Sequence, residues 1–146
     1  MARAATASSH PLGRWLRARV IRLREATRRR VFPAAVELVA PDADAGDAPV
    51  ATWIHDEPPD HALRVDVLVR LLTDCRCRGL RVVSLVHVRP GPHEPGDLDL
   101  AWLAAARIAA QISGVELVTV LVLSRWGWLD LLTGAERSWA RPRRRA

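Results

Sequence analysis

Lysine and tyrosine are absent from this sequence, and all 22 basic residues are arginine. Together with abundant alanine, this is the composition expected of a GC-rich bacterial genome. Codon usage therefore contributes to the arginine content, so no arginine is read as chosen for bidentate recognition on its identity alone. Cysteine is nearly absent too. Cys75 and Cys77 alone exclude a disulfide framework and fit a reducing cytoplasm. They fall in an expected helix, where residues two apart point about 200° from one another, so the pair reads as two ordinary thiols and not as a chelate. No run of about 18 apolar residues occurs, which excludes a spanning helix; the longest apolar stretch, Val115 to Leu123, has the length of a buried strand. A continuous apolar segment after the basic start is missing as well, so no secretory signal is expected. The phosphate-cradling patterns GxxxxGK[ST] and GxGxxG, the nucleophile frame GxSxG and the zinc pattern HExxH are all missing, and Ser84 lies in a buried run without such a frame.

What is present amounts to one domain with basic ends. The 146 residues suffice for a single core. Residues 1–30 hold nine arginines against one glutamate, and residues 137–146 hold five arginines and no acid. Between them, residues 31–136 carry fifteen acids against eight arginines. A net-acidic body between two basic tails places any polyanion binding in the tails, at Arg28, Arg29, Arg30, Arg143, Arg144 and Arg145. The chain divides into a basic N-terminal segment over 1–30, an α/β domain over 31–139 and a basic tail over 140–146.

Hydrophobic spacing sets the expected elements. Leu12, Trp15, Leu16, Val20 and Leu23 make an apolar stripe on a helix reaching to Arg30, with arginines opposite; it either docks on the body or binds nucleic acid or an anionic membrane surface. Strands over 34–40 and 50–55 form an antiparallel hairpin with a long connection. Asp60 caps a helix over 61–78 with Leu63, Val67, Leu71 and Cys75 on one face, and Gly79 stops it. A strand over 80–88, a helix over 100–113 capped by Asp97 or Asp99, a strand over 115–123 and a closing hairpin through Trp126 and Trp128 complete a ββαβαββ order. That order predicts an α/β fold, a single domain with a mixed sheet and crossover helices in two or three layers.

The stretch 82–99, VVSLVHVRPGPHEPGDLD, carries the candidate site: a buried strand ends in a histidine, a Pro/Gly-rich loop and a group of carboxylates. His87-Val88-Arg89-Pro90, with Gly91 following and Asp99 opening the next helix, resembles the metal loop of the RadC-like JAB/MPN (JAMM) domains, which share a cytidine-deaminase-like fold. The resemblance covers about residues 63–133 and includes the helix ending at Gly114 and the strand beginning Val115-Glu116-Leu117. It implies a zinc held by two histidines and an aspartate, an upstream glutamate as base, and an association with DNA repair. Only His87 and Asp99 match that ligand set. Arg89 replaces the second histidine, Asp97 replaces a serine, and Thr119-Val120 stands where an Asp-His pair is common.

A guanidinium cannot ligate zinc and repels it, so Arg89 is expected to form a metal-replacing salt bridge with Asp97 or Asp99. The preferred expectation is a non-catalytic binding or scaffold module with an unknown protein partner and no cofactor. One alternative is a zinc-dependent (iso)peptide hydrolase with His87, Asp99 and His93 as ligands and Glu37 or Asp66 as base. Another is a nucleic-acid-binding accessory acting through the arginine tails.

Overall fold

A computed structural model describes residues 10–27 and 31–139. The elements are α1 (Gly13–Ala26), β1 (Ala34–Val39), β2 (Ala51–His55), α2 (His61–Cys77), β3 (Val82–Val88), α3 (Asp97–Ser113), β4 (Glu116–Ser124), β5 (Gly127–Asp130) and β6 (Glu136–Ser138). The six strands form one mixed sheet in the order β2-β1-β3-β4-β5-β6, in which β3 and β4 are parallel and every other neighbouring pair is antiparallel. The central strands β1, β3 and β4 are apolar along most of their length because both sheet faces are covered.

The two faces carry separate cores. On one, α1 lays Leu12, Trp15, Leu16, Val20 and Leu23 against Val39, Val86, Leu121 and Trp128. On the other, α2 and α3 pack Leu68, Leu72, Cys75, Trp102 and Ala106 against Val36, Leu38, Val83 and Leu85. The result is three layers, with the basic N-terminal helix as a full layer. The face of α2 is narrower than its four-residue spacing suggests: Leu68, Leu72 and Cys75 are buried, while Leu63 is 46% exposed because it lies in the first turn, before the helix reaches the sheet. Cys75 is inside and Cys77 outside, and burial pushes the Cys75 thiol up.

Several boundaries differ from the periodic reading. The first helix stops at Ala26, where Thr27 turns extended. The third begins at Asp97 with Gly96 as its cap residue; Asp99, three residues in, reaches back to accept the Gly96 N–H at 2.8 Å. Among the described residues no helix is long and apolar enough to cross a membrane.

Candidate functional site

Strands β2 and β3 are both antiparallel to β1, so they run in the same direction and their carboxyl ends share one sheet edge. His55 ends β2 and His87 lies one residue before the end of β3. His87 pairs in register with Val36, and Trp53 with Val36 from the other side, so His87, Trp53 and His55 project to the α2/α3 face. There the two imidazole rings lie within 14° of parallel, their centroids 6.3 Å apart, with Trp102 of α3 against both.

Asp99 is the polar centre. Its Oδ1 accepts from His87 Nδ1 at 2.7 Å and from Arg89 Nε at 2.8 Å, while its Oδ2 accepts from Arg89 at 2.7 Å and from the Gly96 N–H at 2.8 Å. The carboxylate is 1% exposed and holds four donors. Burial by itself would raise its pKa, but the hydrogen bonds from His87, Arg89 and Gly96 and the Arg89 charge outweigh that and hold the group far below the usual carboxylate range.

Arg89 does more than neutralise Asp99. Beyond the two bonds to that carboxylate, it donates to the carbonyls of Pro90 at 3.0 Å, Pro92 at 2.5 Å and Glu94 at 2.8 Å. All five guanidinium donors are engaged, and the cation gathers three loop carbonyls and one carboxylate around itself, much as a bound metal would.

An ionised carboxylate can only accept, so His87 Nδ1 carries the proton and the lone pair of a neutral ring falls on Nε2. Nε2 faces away from Asp99, is buried, and has no hydrogen-bond partner among the described residues. Burial, then the neighbouring His87, lower the His55 pKa against the raising influence of the Glu57 backbone and Asp56; neither His55 nitrogen makes a hydrogen bond of normal geometry. Both rings line a cavity of about 300 Å³ with Phe32, Asp56, Pro90 and Leu98.

The other candidate residues lie elsewhere. Asp97 is exposed in the first turn of α3, so the Arg89 fork rests on Asp99 and not on Asp97: helical geometry turns the side chain at 99 inward and the one at 97 out. His93 is buried in the loop but approaches Glu136 of β6 at 3.4 Å. Glu37 points to the opposite sheet face, where Arg19 of α1 holds it with two bonds at 2.8 and 3.1 Å. Asp66 is exposed on α2. Ser84 alternates to the α1 face, away from His87, so no serine–histidine pair forms. Arg28, Arg29, Arg30, Arg143, Arg144 and Arg145 lie outside the described residues.

The residues present do not fit a catalytic zinc. Both oxygens of Asp99 are filled by donors, the Arg89 cation sits against them, and among the described residues no group of three or more His, Cys, Asp or Glu side chains is placed to hold a metal ion. His55 is the site residue that sequence reading missed. Its signal was a second strand ending in histidine before a proline-containing loop, as β3 does, but its position beside His87 depends on β1 lying between the two strands.

A second buried pair sits on the α1 face. His10 Nε2 meets Asp130 Oδ2 at 3.0 Å, and His10 Nδ1 accepts the Leu12 N–H at 3.1 Å. Asp130 also caps the N–H groups of Leu132 and Thr133. No protein-family model matches this sequence, and no curated protein is significantly similar to it.

Proposed function

We propose that this chain is a non-catalytic binding or scaffold module, a RadC-like JAB domain in which an arginine has taken over the work of the metal. The observation that carries this reading is the complete use of the Arg89 guanidinium, five donors on Asp99 and the loop carbonyls of Pro90, Pro92 and Glu94. In a metal-dependent relative, the charge and the oxygen-gathering role would belong to the ion, and the ion would activate water. Arg89 supplies the charge and the gathering but cannot polarise a water in the way a Lewis acid does, so the fold of the loop is kept without the nucleophile. The DNA-repair association that comes with the resemblance belongs to the same proposal.

Metal analysis of protein purified without chelators tests this directly. Zinc well below one equivalent is expected, together with no peptide or isopeptide cleavage. Stoichiometric zinc that disappears in His87→Ala would overturn the reading in favour of the hydrolase.

The charge partition favours a second, compatible reading, contact with nucleic acid through the tails. Fourteen arginines against one acid in residues 1–30 and 137–146 predict weak sequence preference and affinity that falls steeply with salt. Within α1 that role is restricted: Arg19 is bound to Glu37, Arg24 donates to the Arg125 and Trp139 carbonyls and lies over Trp126, and Arg14 meets Asp44. Removal of residues 140–146 should then lower DNA affinity, and unchanged affinity would locate binding elsewhere.

A further inference from the structure

The body of this protein is net acidic, yet one corner of it gathers arginine and tryptophan from distant parts of the chain. Arg125 and Trp126 make the tight turn that joins β4 to β5, where Ser124 faces Gly127. Trp139 follows β6 and donates its N–H to the Trp126 carbonyl at 2.8 Å. Arg24, in the last turn of α1, donates to the carbonyls of Arg125 and Trp139, which are 101 and 115 residues away in sequence, and lies over the Trp126 ring at 5.6 Å. The turn and β6 close tightly on each other: a Cβ at Gly127 would stand 2.0 Å from the Arg137 carbonyl, so only glycine fits there.

The charge at this corner is not neutralised by the fold. Ion pairs among the described residues take up Arg14, Arg19 and Arg89, while neither Arg24 nor Arg137 has a carboxylate within salt-bridge distance. Glu136 lies on the other face of β6 from Arg137 and approaches His93. Glu25 is turned about 100° around α1 from Arg24. Burial and then the Arg125 charge lower the Arg24 pKa, which places two like charges side by side.

Arg137 is exposed and lies with its guanidinium over the Trp139 ring at 5.6 Å; none of its N–H groups is spent on a hydrogen bond among the described residues. A guanidinium held by its face keeps its edge donors outward, the geometry that takes two phosphate oxygens at once. Trp139 itself packs against the α1-face core, so its ring serves to hold the arginine. An anionic bilayer fits less well than a nucleic acid, because the apolar stripe of α1 that could enter it, Leu12, Trp15, Leu16, Val20 and Leu23, is buried.

We propose that this corner seats the phosphodiester backbone of a nucleic acid, with the Arg137 fork on a phosphate, the charges of Arg24 and Arg125 beside it, and the arginines that follow Trp139 in sequence extending the contact. The proposal rests on the nucleic-acid reading given above and names the surface by which the folded body takes part. Contact through phosphate carries no base preference.

Two variants of the full chain that each remove one positive charge make the test, Arg137→Ala at the corner and Arg145→Ala in the tail. Binding of a short labelled DNA duplex of random sequence is followed by fluorescence anisotropy over a range of salt. Arg137→Ala is expected to weaken binding about fivefold and to reduce the salt slope by roughly one. Arg145→Ala, which removes charge without a held fork, is expected to weaken it about twofold or less. Equal losses in the two variants, or no loss in Arg137→Ala, would overturn the corner and leave the tail reading standing. A parent protein that binds no DNA at low salt removes both, as does one that binds phosphatidylserine vesicles in place of DNA.

Discussion

Two buried histidine–aspartate pairs occur among the described residues, one on each face of the same sheet, and they differ in one nitrogen. In the His10–Asp130 pair every ring nitrogen is used: Nε2 on the carboxylate, Nδ1 on the Leu12 N–H. In the His87–Asp99 pair the carboxylate is saturated with four donors while His87 Nε2 has none. A closed pair is a fastener. It ties the start of α1 to the end of β5, 120 residues away in sequence. An open pair, with its aspartate fixed by a neighbouring arginine, leaves the second nitrogen of a held imidazole buried beside His55 and Trp102 without a partner.

Removing each aspartate should separate the two roles. The largest effect is expected for Asp99→Ala, which leaves the Arg89 cation and the buried His87 Nδ1 without their carboxylate and releases the loop from Pro90 to Gly96. A loss of about 3–5 kcal/mol in urea unfolding is expected, and a loss under 1 kcal/mol would mean that Arg89 finds water without cost. Asp130→Asn keeps the shape but weakens the bonds to His10, Leu132 and Thr133. Its expected cost is smaller, about 1–3 kcal/mol, with faster hydrogen exchange concentrated in α1; an even loss across the protein would deny the fastener role.

Both carboxylates are held below their ordinary value, so both bind protons more weakly folded than unfolded. The stability they contribute is complete above the unfolded aspartate pKa of about 3.9 and is lost as pH falls through the lower folded values. Acid unfolding below about pH 4 should therefore be shallower in either variant than in the parent protein, and parallel curves would contradict the geometry.

His55 acts in a different pH range. Burial and His87 lower its pKa, so the unfolded state binds more protons as pH drops below about 6.5. Stability should begin to decline there and continue down to the folded value, and His55→Phe should flatten that window. A parent protein with no pH dependence between pH 7 and 5 would count against it. The smallest effect is expected for Asp97→Ala. This carboxylate is exposed in the first turn of α3 and interacts with the helix N-terminus, so a change of about 0.5 kcal/mol or less is expected. A loss approaching that of Asp99→Ala would return Asp97 to the site.

Which carboxylate does what illustrates the reach of a one-dimensional reading. Asp97 and Asp99 are near-equivalent as helix openers in sequence. Only the rotation of α3 onto the sheet turns 99 inward. Glu37 is next to Val36, the register partner of His87, yet one residue of strand alternation sends it to the far face and onto Arg19. His93, four residues past Arg89, approaches Glu136 of β6, the edge strand three places along the sheet from β3.

Local chemistry determined much of this protein. The alternation and length of apolar runs set which segments became strands and helices. Gly79 and Gly114 end α2 and α3, and the Pro/Gly content of 90–96 keeps that loop irregular at the end of a buried strand. Those properties act over a few residues and are written in a few residues. Tertiary structure decided the rest: that α1 is a core layer, that β1 lies between β2 and β3 and so sets His55 beside His87, and that Arg89 finds all five of its acceptors. Each depends on contacts between segments far apart in the chain, whose pairing is selected by the burial of two whole sheet faces together and is carried by no single stretch of sequence.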